Sequence, residues 1–282
     1  MIDPSNPDLV IRPKKHLFDI DYKDIWRYRD LIILLVRRDF VAQYKQTVLG
    51  PFWFIISPLI NVFMFAFIFN RIAGISTEGI PAILFYLTGL TLWNYFSSTL
   101  TGVSNTFVNN ADIFGKVYFP RLVIPISLTI SSMMRFFIQF GLLAIVMVIY
   151  YFKGFVFHFS FYTLFIPVLF IIAALLALGC GIIISSLTTK YRDFQYLLGF
   201  SVQLWMYATP IIYPVSIIPP KYAWIVSCNP MAPLIEAFKY GLIGIGSFNV
   251  TSLLISMGTT FVLLFGGILI FNKVEGSFMD TV

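Results

Sequence analysis

Few side chains in this 282-residue chain are equipped for covalent or acid–base chemistry. The two histidines, His16 and His158, lie far apart, and Cys180 and Cys228 have neither zinc-site nor disulfide-framework spacing. No metal site or catalytic triad can be drawn from them. A phosphate-cradling P-loop needs a glycine-rich turn closed by Gly-Lys and then Ser or Thr, but Gly115-Lys116 is followed by Val117. Within the apolar runs the central stretches hold no Asp or Glu, and Glu236 alone falls in a broken apolar segment. A proton relay needs such carboxylates. What the apolar runs do hold is a recurring set of hydroxyl, amide and aromatic groups. Trp53, Ser57 and Asn61 recur at i, i+4 and i+8, one face of a helix. Thr91, Tyr95, Ser98 and Gly102 follow the same stripe, and so do Gly199, Gln203 and Tyr207.

Such stripes suit a wall that passes a sugar polymer, which is polar at its hydroxyls and apolar on its ring faces. The same residue types also glue membrane helices together and form interfacial belts. Arg135 is the exceptional group. It lies in mid-run on a stripe with Ser127, Ser131 and Gln139. A cation facing lipid costs at least about 2.5–3.5 kcal/mol, so Arg135 is expected to face protein or water. Glu236 is its expected partner in an outer gate, and snorkelling to the interface is the alternative.

The elements that must position these groups are membrane helices. Apolar residues make up 59% of the chain and charged residues 11%, with a mean hydropathy of +0.86. A soluble domain carries about 25% charge, so too little polar surface exists here to cover a globule in water. Apolar runs of about 20 residues, the length that crosses a hydrocarbon core, are expected near 51–70, 82–107, 122–151, 161–187, 194–213 and 250–271. The fold class is therefore an all-α membrane protein with about six transmembrane helices. Residues 1–49 form an N-terminal region whose latter half reads as an amphipathic interface helix, residues 50–272 the membrane domain, and 273–282 a tail. Ala173, Ala177 and Gly181 give the fourth run a small-residue face for close packing. Between about 214 and 246 the prolines Pro214, Pro219, Pro220, Pro230 and Pro233 forbid one long helix. Short helices dipping back into the membrane fit this stretch best.

The formal net charge of +6 does not form a nucleic-acid patch. Most of the 19 Lys and Arg fall before the first run, in the 108–121 and 188–193 connections and in the tail. The positive-inside rule places these segments, and both termini, in the cytoplasm.

Three stretches are more specific. Arg37-Arg38-Asp39 and then Tyr44 to Trp53 lead into the first run, Gly115-Lys116-Val117-Tyr118-Phe119-Pro120-Arg121 closes the second connection, and the fifth run continues into Thr209-Pro210-Ile211-Ile212-Tyr213-Pro214, followed later by Asn229-Pro230-Met231. In this order, from about residue 30 to 272, they resemble the permease family of ABC exporters for bacterial surface polysaccharides, such as O-antigen, capsule and teichoic acid. The resemblance implies an inner-membrane homodimer with two copies of a separate ABC ATPase subunit and a lipid-linked glycan as substrate. ATP would be bound by the partner, so no cofactor is expected on this chain. The cytoplasmic connection would then couple to the ATPase, with Asp112, Phe114, Lys116, Tyr118 and Arg121 as candidates. A permease for a drug, lipid or ion, and a membrane-embedded glycan-modifying enzyme, are the rival readings.

Overall fold

The structure is a computed structural model, and it describes residues 22–45, 47–114, 119–157, 161–189, 191 and 193–278. Two helices, α1 (Tyr22–Arg27) and α2 (Arg29–Tyr44), precede the membrane domain. The apolar side of α2, with Leu31, Ile32 and Leu35, packs into the core, while Arg37 and Arg38 stay exposed. It is thus two-sided, as its sequence pattern requires. Its buried side is spent on protein, because α2 lies against the third long helix.

A short 3-10 turn at Gly50–Phe52, with Pro51 where a missing N–H costs nothing, starts the first long helix. This is α3 (Trp53–Phe65), which carries Pro58 in its interior and ends in a π-helical turn, Ala66–Ile72. Such turns insert a residue into a helix and recur at functional sites. Next, α4 (Ala82–Ser104) runs through the centre of the bundle, burying Phe85, Tyr86, Trp93, Tyr95 and Phe96. Two one-turn helices, α5 (Thr106–Asn109) and α6 (Ala111–Phe114), lead to α7 (Val123–Phe152). A 3-10 turn at Phe161–Phe165 then opens α8 (Ile166–Thr188).

Close approach on both sides fixes α8. A Cβ at Gly181 would lie 2.7 Å from the Val103 side chain of α4, so only glycine lets those helices meet. Ala173 and Ala177 of the same stripe are fully buried. The shorter α9 (Phe194–Tyr207) packs Trp205 against Trp93 and Phe96 of α4. Beyond it the proline-rich stretch breaks into 3-10 turns and two helices, α10 (Ala223–Ser227) and α11 (Met231–Ile243). Gly244 ends α11 with φ of +75°, a left-handed cap that suits glycine. The last helix, α12 (Val250–Phe278), continues past residue 272 into the segment expected to be a tail. A Cβ at Gly179 would come within 2.7 Å of the Leu264 nitrogen of α12, and one at Gly267 within 2.9 Å of the Gly179 carbonyl.

Among the described residues four helical segments are long and apolar enough to cross a membrane: Gly50–Ile72, Val123–Phe152, Phe161–Thr188 and Val250–Lys273. The two remaining expected spans differ for distinct reasons. The 23-residue α4 has the length, but its Thr, Ser and Asn side chains lower its hydropathy, as fits a helix buried in protein rather than in lipid. The 14 residues of α9 rise about 21 Å, short of a hydrocarbon core of about 30 Å. Its expected continuation to residue 213 is instead a turn, in which Ile211 N donates to the Thr209 carbonyl.

Candidate functional site

Three long helices and the end of α2 enclose a cavity of about 320 Å³. From α3 come Trp53, Ser57 and Asn61; from α4 Asn94, Tyr95, Ser97 and Ser98; from α7 Arg135 and Gln139; from α2 Gln43. Two stripes read separately in the sequence therefore meet on one wall. On α4 the helix turns Tyr95 and Ser98 toward this space, while Thr91 stays buried and its Oγ1 donates to the Leu87 carbonyl at 2.7 Å. Tyr95 stacks at 4.5 Å on Phe170 and 5.5 Å from Phe136, which fixes the ring. Its hydroxyl is buried, with Thr99 the nearest polar side chain acting on it. Asn94 Nδ2 donates to Gln139 Oε1 at 3.3 Å, joining α4 to α7. Gln203 and Tyr207, the conduit candidates on α9, are exposed and lie away from this cavity.

The structure separates the expected gate pair. Arg135 Nη2 donates to Ser132 Oγ at 2.7 Å, and Nη1 reaches Gln43 Oε1 at 3.4 Å. Its nearest carboxylate influence is Asp39 of α2, which is ion-paired with Arg38 at 2.8 Å. Glu236 sits elsewhere, on α11, beside Lys239 and Glu78. The topological inference failed because α11 folds toward the 73–81 loop, whereas Arg135 stands only twelve residues into α7, on the side where α2 packs. Of the polar stripe around it, Ser127 and Ser131 are buried off the cavity and only Gln139 shares it.

A second, smaller cavity of about 230 Å³ gathers Glu78, Ser216, Glu236 and Lys239. Lys239 is 1% exposed, donates from Nζ to the Pro210 carbonyl at 2.6 Å and lies 3.8 Å over the Phe85 ring. Ser216 Oγ donates to Glu78. On α11, which does not span, burial pushes the Glu236 carboxyl up and the Lys239 ammonium down, each opposed by the charge of the other. Sequence reasoning missed Lys239. The available signal was its i+3 spacing from Glu236 on one helix face. It also gave Asn229 no role beyond its motif. Asn229 accepts from Trp205 Nε1 at 2.8 Å and from Met231 N at 2.9 Å, and donates to Thr209 Oγ1 at 2.8 Å. The Thr209-Pro210 and Asn229-Pro230 stretches thus meet in space and cap α11.

The coupling candidates divide. Asp112 is exposed on α6. Phe114 is 6% exposed and stacks between Phe107 and Phe119, so it fills a pocket in its own chain and is not presented to a partner. The reason is the apolar cluster beneath it, built from Leu35, Val103, Val123 and Phe271. Arg121 is buried with its guanidinium 5.6 Å over the Phe114 ring. Lys116 and Tyr118 lie outside the described residues. Among the described residues no cluster of three or more His, Cys, Asp or Glu could hold a metal.

A helical membrane protein with a polar, aromatic-walled cavity between its long helices is the class that this fold and site define. The chain belongs to the ABC-2 type transporter family, whose sequence pattern matches residues 30–243. It is 30% identical over 252 residues to an O-antigen export system permease protein, RfbA, of Klebsiella pneumoniae, covering 89% of this chain and 94% of that protein. An RfbA of Myxococcus xanthus, also an O-antigen export system permease protein, is 25% identical over 219 residues, covering 77% and 82%.

Proposed function

We propose that this chain is the permease subunit of a bacterial polysaccharide exporter that moves a lipid-linked, O-antigen-like glycan across the inner membrane. The observation that carries this reading is the meeting of Trp53, Ser57 and Asn61 with Tyr95 and Ser98 around one cavity, in a chain akin to O-antigen export permeases. Aromatic faces and neutral hydroxyl and amide groups suit sugar rings, and their neutrality avoids trapping the polymer at one point. A cavity of about 320 Å³ holds one small group at a time. A polymer therefore needs a longer path, which a second copy related by two-fold symmetry would complete. Energy comes from two copies of a separate ABC ATPase, engaged at the cytoplasmic end formed by α5, α6 and α2. Six spans, with α4 and α9 completed by their protein neighbours, keep both termini in the cytoplasm.

Replacement tests this at exposed wall positions, where the fold is spared. Trp53→Ala and Ser57→Phe should each reduce surface glycan at least tenfold, read on gels of extracted glycolipid, while the ATPase subunit still copurifies. Unchanged surface glycan in both variants would reject the conduit.

A further inference from the structure

The stretch Arg37-Arg38-Asp39 has no task in the conduit as described so far. The fold places Asp39 on the seam between α2 and α7. Leu35, Asp39 and Gln43 are spaced i, i+4 and i+8, so they share the face of α2 that packs on α7. At its first end the seam is apolar, with Leu35 buried among Val123 and Ile124. At its other end it is polar and opens on the cavity. There Arg135 Nη1 donates to Gln43 Oε1 at 3.4 Å and Nη2 donates to Ser132 Oγ at 2.7 Å. Asp39 stands one helical turn before Gln43.

The Asp39 carboxylate is only half used. Arg38 Nε donates to Oδ1 at 2.9 Å, and Arg38 Nη2 lies 2.8 Å from the same oxygen. The second oxygen, Oδ2, is buried and has no hydrogen-bond partner. Arg135 Nε is likewise buried and has none. Asp39 is the carboxylate whose charge acts on Arg135. An acceptor and a donor, both buried and both unmade, thus belong to oppositely charged groups on two packed helices. Leaving either unmade is costly, and each would satisfy the other. A guanidinium takes a carboxylate side-on through two parallel bonds, and on the Nε–Nη2 edge of Arg135 that arrangement releases Ser132. Arg38 loses little by the exchange, since it is half exposed and water replaces its partner.

We propose that Asp39 is a two-position positioning residue, whose carboxylate passes from Arg38 on α2 to Arg135 on α7 and so sets how the guanidinium stands in the cavity wall. The proposal rests on the export reading for the task it serves, while its geometry does not. A roll of α2 on α7 makes the exchange. Phe40 of α2 stacks on Phe54 of α3 at 5.4 Å, so the same roll reaches the wall that holds Trp53 and Ser57. One carboxylate thereby ties the position of α2 to the shape of the cavity.

A thiol placed at Gln43→Cys, in the full-length chain with Cys180→Ala and Cys228→Ser, reports where the guanidinium stands. A nearby cation raises the thiolate fraction and with it the rate of alkylation by iodoacetamide. The rate is measured at pH 7 in a polyoxyethylene detergent. Arg38→Gln deprives Asp39 of its first position, so the carboxylate settles on Arg135 and alkylation should slow at least threefold. Arg37→Gln removes the neighbouring exposed cation and should change the rate less than twofold. Adding Asp39→Asn to Arg38→Gln should restore the rate, because no carboxylate is left to move. Equal rates in Arg38→Gln and Arg37→Gln, or a slowing that persists without Asp39, overturn the exchange. If the Asp39→Asn chain fails to fold, the comparison of Arg38→Gln with Arg37→Gln decides alone, both positions being on the open side of α2. In cells, Arg38→Gln should lower surface glycan at least fivefold and Arg37→Gln should not. Full surface glycan in Arg38→Gln, where Trp53→Ala loses it, overturns the role in export. Surface glycan that survives Trp53→Ala counts against the conduit instead, and the alkylation rates then uphold or reject the exchange by themselves.

Discussion

Lys239 shows what one buried charge asks of its surroundings. Its ammonium is held by the Pro210 carbonyl, the Phe85 ring face and the fields of Glu236 and Glu78. Lys239→Met keeps most of the volume but leaves that carbonyl without its donor and Glu236 without its countercharge. A loss of about 1–3 kcal/mol is expected, seen as a lower midpoint of thermal unfolding in detergent. The glycines give a cleaner contrast. At Gly179 an added Cβ meets the α12 backbone at 2.7 Å, so Gly179→Ala should cost about 1–3 kcal/mol by overpacking. At Gly102 nothing lies within 4 Å, and Gly102→Ala should leave the same midpoint unchanged or slightly raised. A lowered midpoint at Gly102 would contradict the placement of α4.

At the scale of elements, α5 and α6, with Phe119 before α7, form a lid on an aromatic cluster. Phe107 stacks on Phe271 of α12 at 4.9 Å, and Phe114 and Phe119 extend the stack. Phe114→Ala should therefore destabilise the membrane domain, by about 3–5 kcal/mol, measured again as a thermal midpoint. Asp112→Arg, at an exposed position of the same segment, should leave that midpoint in place and lower ATPase stimulation. The two outcomes separate the lid's packing face from its partner face. The long helices were legible because twenty-residue apolar runs and their charged flanks are local patterns. The stripe on α3, and Tyr95 with Ser98 on α4, were legible too, since residues three or four apart share a helix face, whereas Thr91 turned inward. Which stripes meet was not legible. Trp53 and Tyr95 share a cavity and Gln203 does not, because helix order around α4 is set by tertiary packing such as Gly181 on Val103. The Arg135–Glu236 expectation failed for the same reason: opposite charges in a sequence say nothing about which end of a bundle each occupies. Phe114 was misjudged because an aromatic in a polar connection reads alike whether it faces inward or outward.

For the whole molecule, the first test is topology. The positive-inside rule predicts the 71–80 connection outside and the 188–193 connection inside. A cysteine at Ser76 should react with an impermeant maleimide added to intact spheroplasts, and one at position 190 should react only after the membrane is opened. The reverse pattern would invert the orientation. The seam between α8 and α12 bears on how such a molecule could move. Gly179 and Gly267 bring the two backbones into direct contact, with no room for a Cβ at either position. Such a seam is expected to act as a stator. Alternation between states must then fall to parts with slack at their edges: α3, with its interior Pro58 and terminal π turn, and the short α9. Amide hydrogen exchange should be slowest along the glycine seam and fastest at residues 66–72, with nucleotide turnover changing the second and leaving the first as it was.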